Sequence, residues 1–170
     1  MQSECASFHL NTTDISVNSD VSNQYGSINV YRNDITFNNI SLRTILGDMY
    51  DKYDKFNIKL SALLYSQSAV AVSSNSVDLN LQINIGGLPF YNCTYSTKSD
   101  TNSSTCVIGS FQLTTAARTI YYSDDNVFTI EKPTDRNDIR IFFTTINNVP
   151  PTWTNAGPAF DLYFRVYDVV

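Results

Sequence analysis

One stretch constrains the fold more than any other: residues 42–64, LRTILGDMYDKYDKFNIKLSALL, where the hydrophobic period changes from helical to extended. Leu42, Ile45, Leu46, Met49, Tyr50 and Tyr53 fall at i, i+3, i+4, i+7, i+8 and i+11, which aligns them on one face of an α-helix. Asp48, Asp51 and Lys52 fall on the opposite face, and Ser41 occupies the N-cap position, where its hydroxyl accepts from a free backbone N–H. Gly47 weakens such a helix by roughly 1 kcal/mol relative to alanine, so packing of the apolar face must hold it. From Phe56 the pattern becomes Phe56, Ile58, Leu60, Ala62, Leu64, alternating with Asn57, Lys59, Ser61 and Leu63. That alternation predicts a strand with one buried face.

The remaining strong signals are strands. Residues 8–18 alternate weakly and read as a short strand or an ordered arm, with 1–26 a candidate extended arm. In 27–37, Ile28 and Val30 have one parity and Ile35 and Phe37 the other, which predicts a turn or bulge at Asn33-Asp34. Residues 66–76 read as a strand end and loop. Val77, Leu79, Leu81, Ile83 and Ile85 alternate with polar residues in an amphipathic strand that Gly86-Gly87 ends, and 88–95 reads as irregular. Val107, Gly109, Phe111 and Leu113 form another alternating strand. Residues 118–122 and 127–131 predict two short strands around the turn Ser123-Asp124-Asp125-Asn126. After the turn at 132–135, Ile139, Ile141 and Phe143 mark a long strand with Phe142 and Ile146 on its second face. The Pro-rich segment 147–158 carries the single tryptophan, Trp153, either a plug over one end of the fold or a contact residue. Phe160, Leu162, Phe164 and Val166 alternate with Asp161, Tyr163, Arg165 and Tyr167, so the last strand is apolar or aromatic on both faces and belongs in the middle of a sheet or under an interface.

About eight antiparallel strands and one short inserted α-helix in a chain of 170 residues predict a single all-β domain spanning 1–170, a two-sheet sandwich of jelly-roll type. A domain of this length buries roughly 70% of its extended surface, enough for a core without staples. An immunoglobulin-like sandwich lacks its Cys…Trp…Cys framework. The formal charge of -5 argues against a nucleic-acid binder, which needs a basic footprint. No run of eighteen apolar residues and no basic start followed by an apolar core is present, so neither a membrane span nor a secretory signal is expected. Cys5, Cys93 and Cys106 read either as unbridged thiols in a reducing compartment or as a Cys93–Cys106 disulfide across the polar segment between them. Sequons at Asn11, Asn39, Asn92 and Asn102 carry little weight in a chain so rich in Asn, Ser and Thr.

Chemistry is sparsely represented. His9 is the only histidine and has no nucleophile motif around it, so no catalytic residue, metal ligand or cofactor is assigned and the chain is read as a non-enzyme. Asp48, Asp51 and Asp54 read as a solvated helix face rather than a calcium loop, and Asp124, Asp125 and Asn126 as a turn. Tyr121 and Tyr122 are candidates either for cross-strand packing or for stacking on a sugar.

At LRTILGDMYDKYDKFNIKL, GGLPFYNC, CVIGSF, FTIEKPTDRNDIRIFFTTI and FDLYFRVYDV, the sequence resembles the single-jelly-roll penton and minor capsid proteins of large icosahedral double-stranded DNA viruses, over roughly residues 35–170. The helix-to-strand segment is the most specific part, whereas the EKP turn and the last strand are generic in residue type. The resemblance implies a structural protein of the virion, assembled in the host cytoplasm. In that role it forms a homopentamer at the five-fold vertices or, as a minor capsid protein, cements the major capsid protein's capsomers alongside other minor capsid proteins. It implies no active site and no contact with nucleic acid. Trp153, Tyr163 and Tyr167 are the candidate subunit-interface residues, and Leu42, Ile45, Leu46, Met49, Tyr50 and Tyr53 the helix-packing face. Because the sequence stops just after the last strand, it is expected to be the base of a vertex rather than a spike. The rival from another class is a carbohydrate- or receptor-binding β-sandwich module; a cupin-like enzyme would need more than one histidine.

Overall fold

The computed structural model describes residues 5–11, 34–65, 79–92, 105–114, 116–123, 127–145 and 160–169. Ten strands and two short helices occur among them: β1 (Cys5–Asn11), β2 (Asp34–Ser41), α1 (Leu42–Leu46), α2 (Asp48–Lys52), β3 (Lys55–Tyr65), β4 (Leu79–Gly86), β5 (Phe90–Asn92), β6 (Thr105–Leu113), β7 (Arg118–Tyr121), β8 (Val127–Glu131), β9 (Arg136–Thr145) and β10 (Phe160–Asp168). All pairings are antiparallel, and the fold is an all-β sandwich. The first sheet runs β1-β10-β3-β8-β5, with β7 beside β8 along the same strand, β3; the second runs β2-β9-β4-β6. Along the chain, every strand passes to the opposite sheet except at the β7–β8 step. As its two-sided sequence requires, β10 lies inside a sheet, between β1 and β3.

The core lies between the sheets. Phe143 of β9 stacks on Phe160 of β10 with ring centroids 4.3 Å apart, and Phe111 of β6 meets both edge-on at 6.0 and 5.8 Å. Tyr65 closes the group, with its hydroxyl 3.3 Å from the Gln112 carbonyl that accepts from it. Each of these rings contributes about 1.5–3 kcal/mol by leaving water, and edge-to-face contacts add to that.

Several boundaries differ from the sequence reading. The predicted single helix is two, because Gly47 takes φ +55° and ψ -131°, which ends α1 and starts α2. β3 does not keep its alternation. Ser61 is the extra residue of a β-bulge opposite Tyr163–Phe164, so Leu63 and Tyr65, not Leu64, enter the core, while Ala62 faces outward. A bulge reverses every later side chain. The same happens in β6, where the register shifts opposite Ile83–Asn84; Cys106 and Ile108 are buried and Val107 is only half-buried. Ten strands are described against about eight expected: β5 forms within the segment read as irregular, and the N-terminal segment read as a short strand or an ordered arm contains the strand β1, while β7 and β8 are the two short strands expected there. Asp34 begins β2 rather than occupying a turn; Asn33, Trp153 and Cys93 lie outside the described residues, as do the other expectations on 12–33, 66–78 and 146–159.

Gly87 is required by close approach. Its φ is +83°, and a Cβ there would lie 1.8 Å from the Asp138 carbonyl oxygen. On the outer face of the second sheet Asn84 is 0 % exposed, its amide nitrogen donating to Thr144 Oγ1 at 3.1 Å.

Candidate functional site

The helix-packing face is brought together as the periodicity requires. Leu42, Leu46, Met49 and Tyr50 are buried, and Ile45 and Tyr53 pack half-buried against the same core. Ser41 caps α1 by accepting from the Thr44 N–H at 3.2 Å. Tyr50 donates to the Pro133 carbonyl at 2.9 Å, and its ring lies within 5.0 Å of Lys132 Nζ and 5.5 Å of the Arg43 guanidinium carbon. The aspartates of α2 face solvent, and Asp51 pairs with Arg43 at 3.1 Å. Among the described residues no three His, Cys, Asp or Glu side chains gather as a metal site, and no helix is long and apolar enough to cross a membrane.

The two describable interface candidates lie on the outer face of the first sheet. Tyr163 is 39 % exposed, whereas Tyr167 is half-buried between Cys5 of β1 and Asn57 of β3. Antiparallel register sets this face out in rows. Ser7, Arg165, Lys59 and Val127 form one row across β1, β10, β3 and β8. His9, Tyr163, Ala62 and Tyr121 form the next, and Asn11, Asp161, Leu64 and Thr119 the one beyond. Over the first two rows and part of the third lies a groove of about 870 Å³, lined by residues that include Ser7, His9, Lys59, Thr119, Tyr121, Tyr163 and Arg165.

Each wall has a local cause. His9 Nε2 bonds Asp161 Oδ1 at 2.9 Å while its ring stacks on Tyr163, centroids 4.6 Å apart, which fixes the tyrosine. Neither of these two contacts involves a serine or cysteine. Tyr121 and Tyr122, adjacent in sequence, point in different directions. Tyr121 is 81 % exposed, whereas the Tyr122 ring passes inward to meet Gly109 and donates to the Ser110 carbonyl at 3.2 Å. Burial pushes the Tyr122 phenol above its ordinary range, so it stays protonated as a donor. Lys59 is only 6 % exposed despite its outward position, and Arg165 sits directly across from it.

Sequence reasoning singled out Tyr121 and Tyr163 but missed that they share a groove, and it missed Lys59 and Arg165 altogether. The available signal was a cation in the middle of the outward series of each of two apolar strands. No family model matches this sequence, and no curated protein matches it.

Proposed function

We propose that the chain is a structural capsid protein of a large icosahedral double-stranded DNA virus, and specifically the penton protein that forms homopentamers at the five-fold vertices. The observation that carries this reading is the strand order. If β7 and β8 count as one interrupted strand on β3 and β5 as an added edge, eight strands remain, four per sheet, and every link crosses the sandwich except β4 to β6, which are paired neighbours in the second sheet. That winding supports a single jelly roll, an architecture used by viral capsid domains and also by lectins and cupins. The segments that carry the capsid resemblance fall on α1, α2 and β3, on the end of β4 with β5, on β6, on β8 with β9, and on β10, apart from Cys93 and Ile146, which lie outside the described residues.

A closed ring needs two different side surfaces on each subunit. The first sheet supports this with aromatic residues toward both edges. Tyr91, 58 % exposed and covered on one side by Lys55 Nζ at 3.4 Å from its ring centroid, belongs to β5, and Tyr167 lies beside β1. Tyrosines of this kind are enriched in the cores of interfaces. In the virion, assembled in the host cytoplasm, the ring would contact the major capsid protein and the other minor capsid proteins.

The test is native mass spectrometry and electron microscopy of the purified chain. Closed five-fold rings of 19.1 kDa subunits are expected. A chain that stays monomeric at micromolar concentration but binds purified capsomers moves the reading to a cementing minor capsid protein, and a monomer that binds neither itself nor capsomers overturns it.

A further inference from the structure

We propose that the groove on the outer face of the first sheet is a binding site for an anionic glycan, with Arg165 and Lys59 taking the charged group and Tyr121 and Tyr163 flanking the sugar rings. The inference goes beyond assembly. It withdraws Tyr163 from the subunit interface and assigns it to a ligand.

Charge points to the sign of the ligand. The chain has 11 basic and 16 acidic residues, yet among the described residues the groove lining contains two cations and no carboxylate. The nearest carboxylate in register, Asp161, lies in the row beyond Tyr163 and is held by His9 at 2.9 Å. Lys59 and Arg165 are cross-strand partners on one face, so an anion seated between them is attracted by both. Arg165 presents the planar fork that grips a carboxylate or sulfate with two parallel bonds.

The walls point to the rest of the ligand. Tyr121 offers a nearly fully exposed ring, and Tyr163 is held at the opposite strand of the groove by its stack on His9. Ser7 and Thr119 add hydroxyls that can both donate and accept. At about 870 Å³ the groove falls within the usual range of small-ligand sites, roughly 300–1,000 Å³. A peptide strand is disfavoured, because strand addition needs an open sheet edge, and this groove lies over β10 and β3, which have neighbours on both sides. Two cations are also too few for the basic stripe of a nucleic-acid site.

The test is titration of the full-length chain, by calorimetry and ligand-observed NMR, with sialyllactose, a sulfated lactose and plain lactose. Binding of the carboxylated or the sulfated sugar is expected, and which of the two binds more tightly identifies the source of the anion. Lactose should bind about tenfold more weakly or not at all, and Arg165→Ala should weaken the anionic sugar by about tenfold or more, as loss of a charge-assisted pair does. Tyr121→Ala should weaken it by about fivefold. Both substitutions are at exposed positions, and an unchanged melting curve separates lost binding from lost folding. The proposal is overturned if neither anionic sugar binds, if lactose binds as well as they do, if both variants bind normally, or if a glutamate-rich peptide binds more tightly than either sugar. Ring formation is scored separately by particle mass, so failure here leaves the assembly reading to its own test.

Discussion

The helical segment at 42–52 and strand β3 sit side by side in the chain, and each is interrupted by one residue, with opposite consequences. At Gly47 the backbone leaves the helix and re-enters it, yet Leu42, Leu46, Met49 and Tyr50 remain on the buried side. At Ser61 the strand continues past one unpaired residue, yet every later side chain changes face, so Leu63 replaces Leu64 in the core. A helical stripe is broad enough to absorb a change of direction, whereas a period of two has no tolerance for one extra residue. The bulge is itself anchored: Ser61 Oγ donates to the Tyr163 carbonyl at 2.9 Å, and the Ser61 carbonyl accepts from the Tyr122 N–H at 3.1 Å.

The contrast can be broken experimentally. Met49→Asp places an unpaired carboxylate at a site 5 % exposed, and urea unfolding should show a loss of about 3–5 kcal/mol. A variant with wild-type stability would mean that the helical face is not buried. In β3, Leu63→Ala should lower stability by about 2–5 kcal/mol, while Leu64→Ala should lose about 1 kcal/mol or less. The reverse ranking in the same unfolding experiment would restore plain alternation and remove the bulge. Gly47→Ala should lower stability by about 1–3 kcal/mol through backbone strain alone, since a Cβ there meets nothing within 4 Å. A thermal melt that rises instead would show that the two helices prefer to be one. Smallest of all, Arg43→Ala should change stability by under about 1 kcal/mol, because its pair with Asp51 is solvent-exposed on both sides; a larger loss would assign the hinge a real electrostatic clasp.

The fold was legible in the sequence wherever side-chain period and pairing agreed. β4, β9 and β10 were readable because Leu81, Ile83, Ile139, Ile141, Leu162 and Phe164 keep one parity over their length and all are buried. The bulges in β3 and β6 were not, because their signal lies in the partner strand: Ser61 is extra only relative to Tyr163–Phe164, and no local residue type marks it. The split at Gly47 was half legible, since glycine weakens a helix without saying whether it also turns the chain. The groove was the least readable feature. Tyr121 and Tyr163 stood out as aromatics, but register across β1, β10, β3 and β7 brings them together with Lys59 and Arg165, and register is a long-range property.

The bonds between the helical segment and the turn at 132–135 have a dynamic consequence. Leu42 N–H bonds the Asp135 carbonyl, Ser41 Oγ bonds the Asp135 carboxylate, Tyr50 bonds the Pro133 carbonyl, and Lys132 N–H bonds the Asp54 carbonyl. Neither segment can lift away without breaking bonds made by the other, so the two behave as one cooperative unit of opening. In hydrogen exchange the amides of Leu42 and Lys132 should therefore lose protection together, at the same free energy, ahead of the amides of β3 and β10.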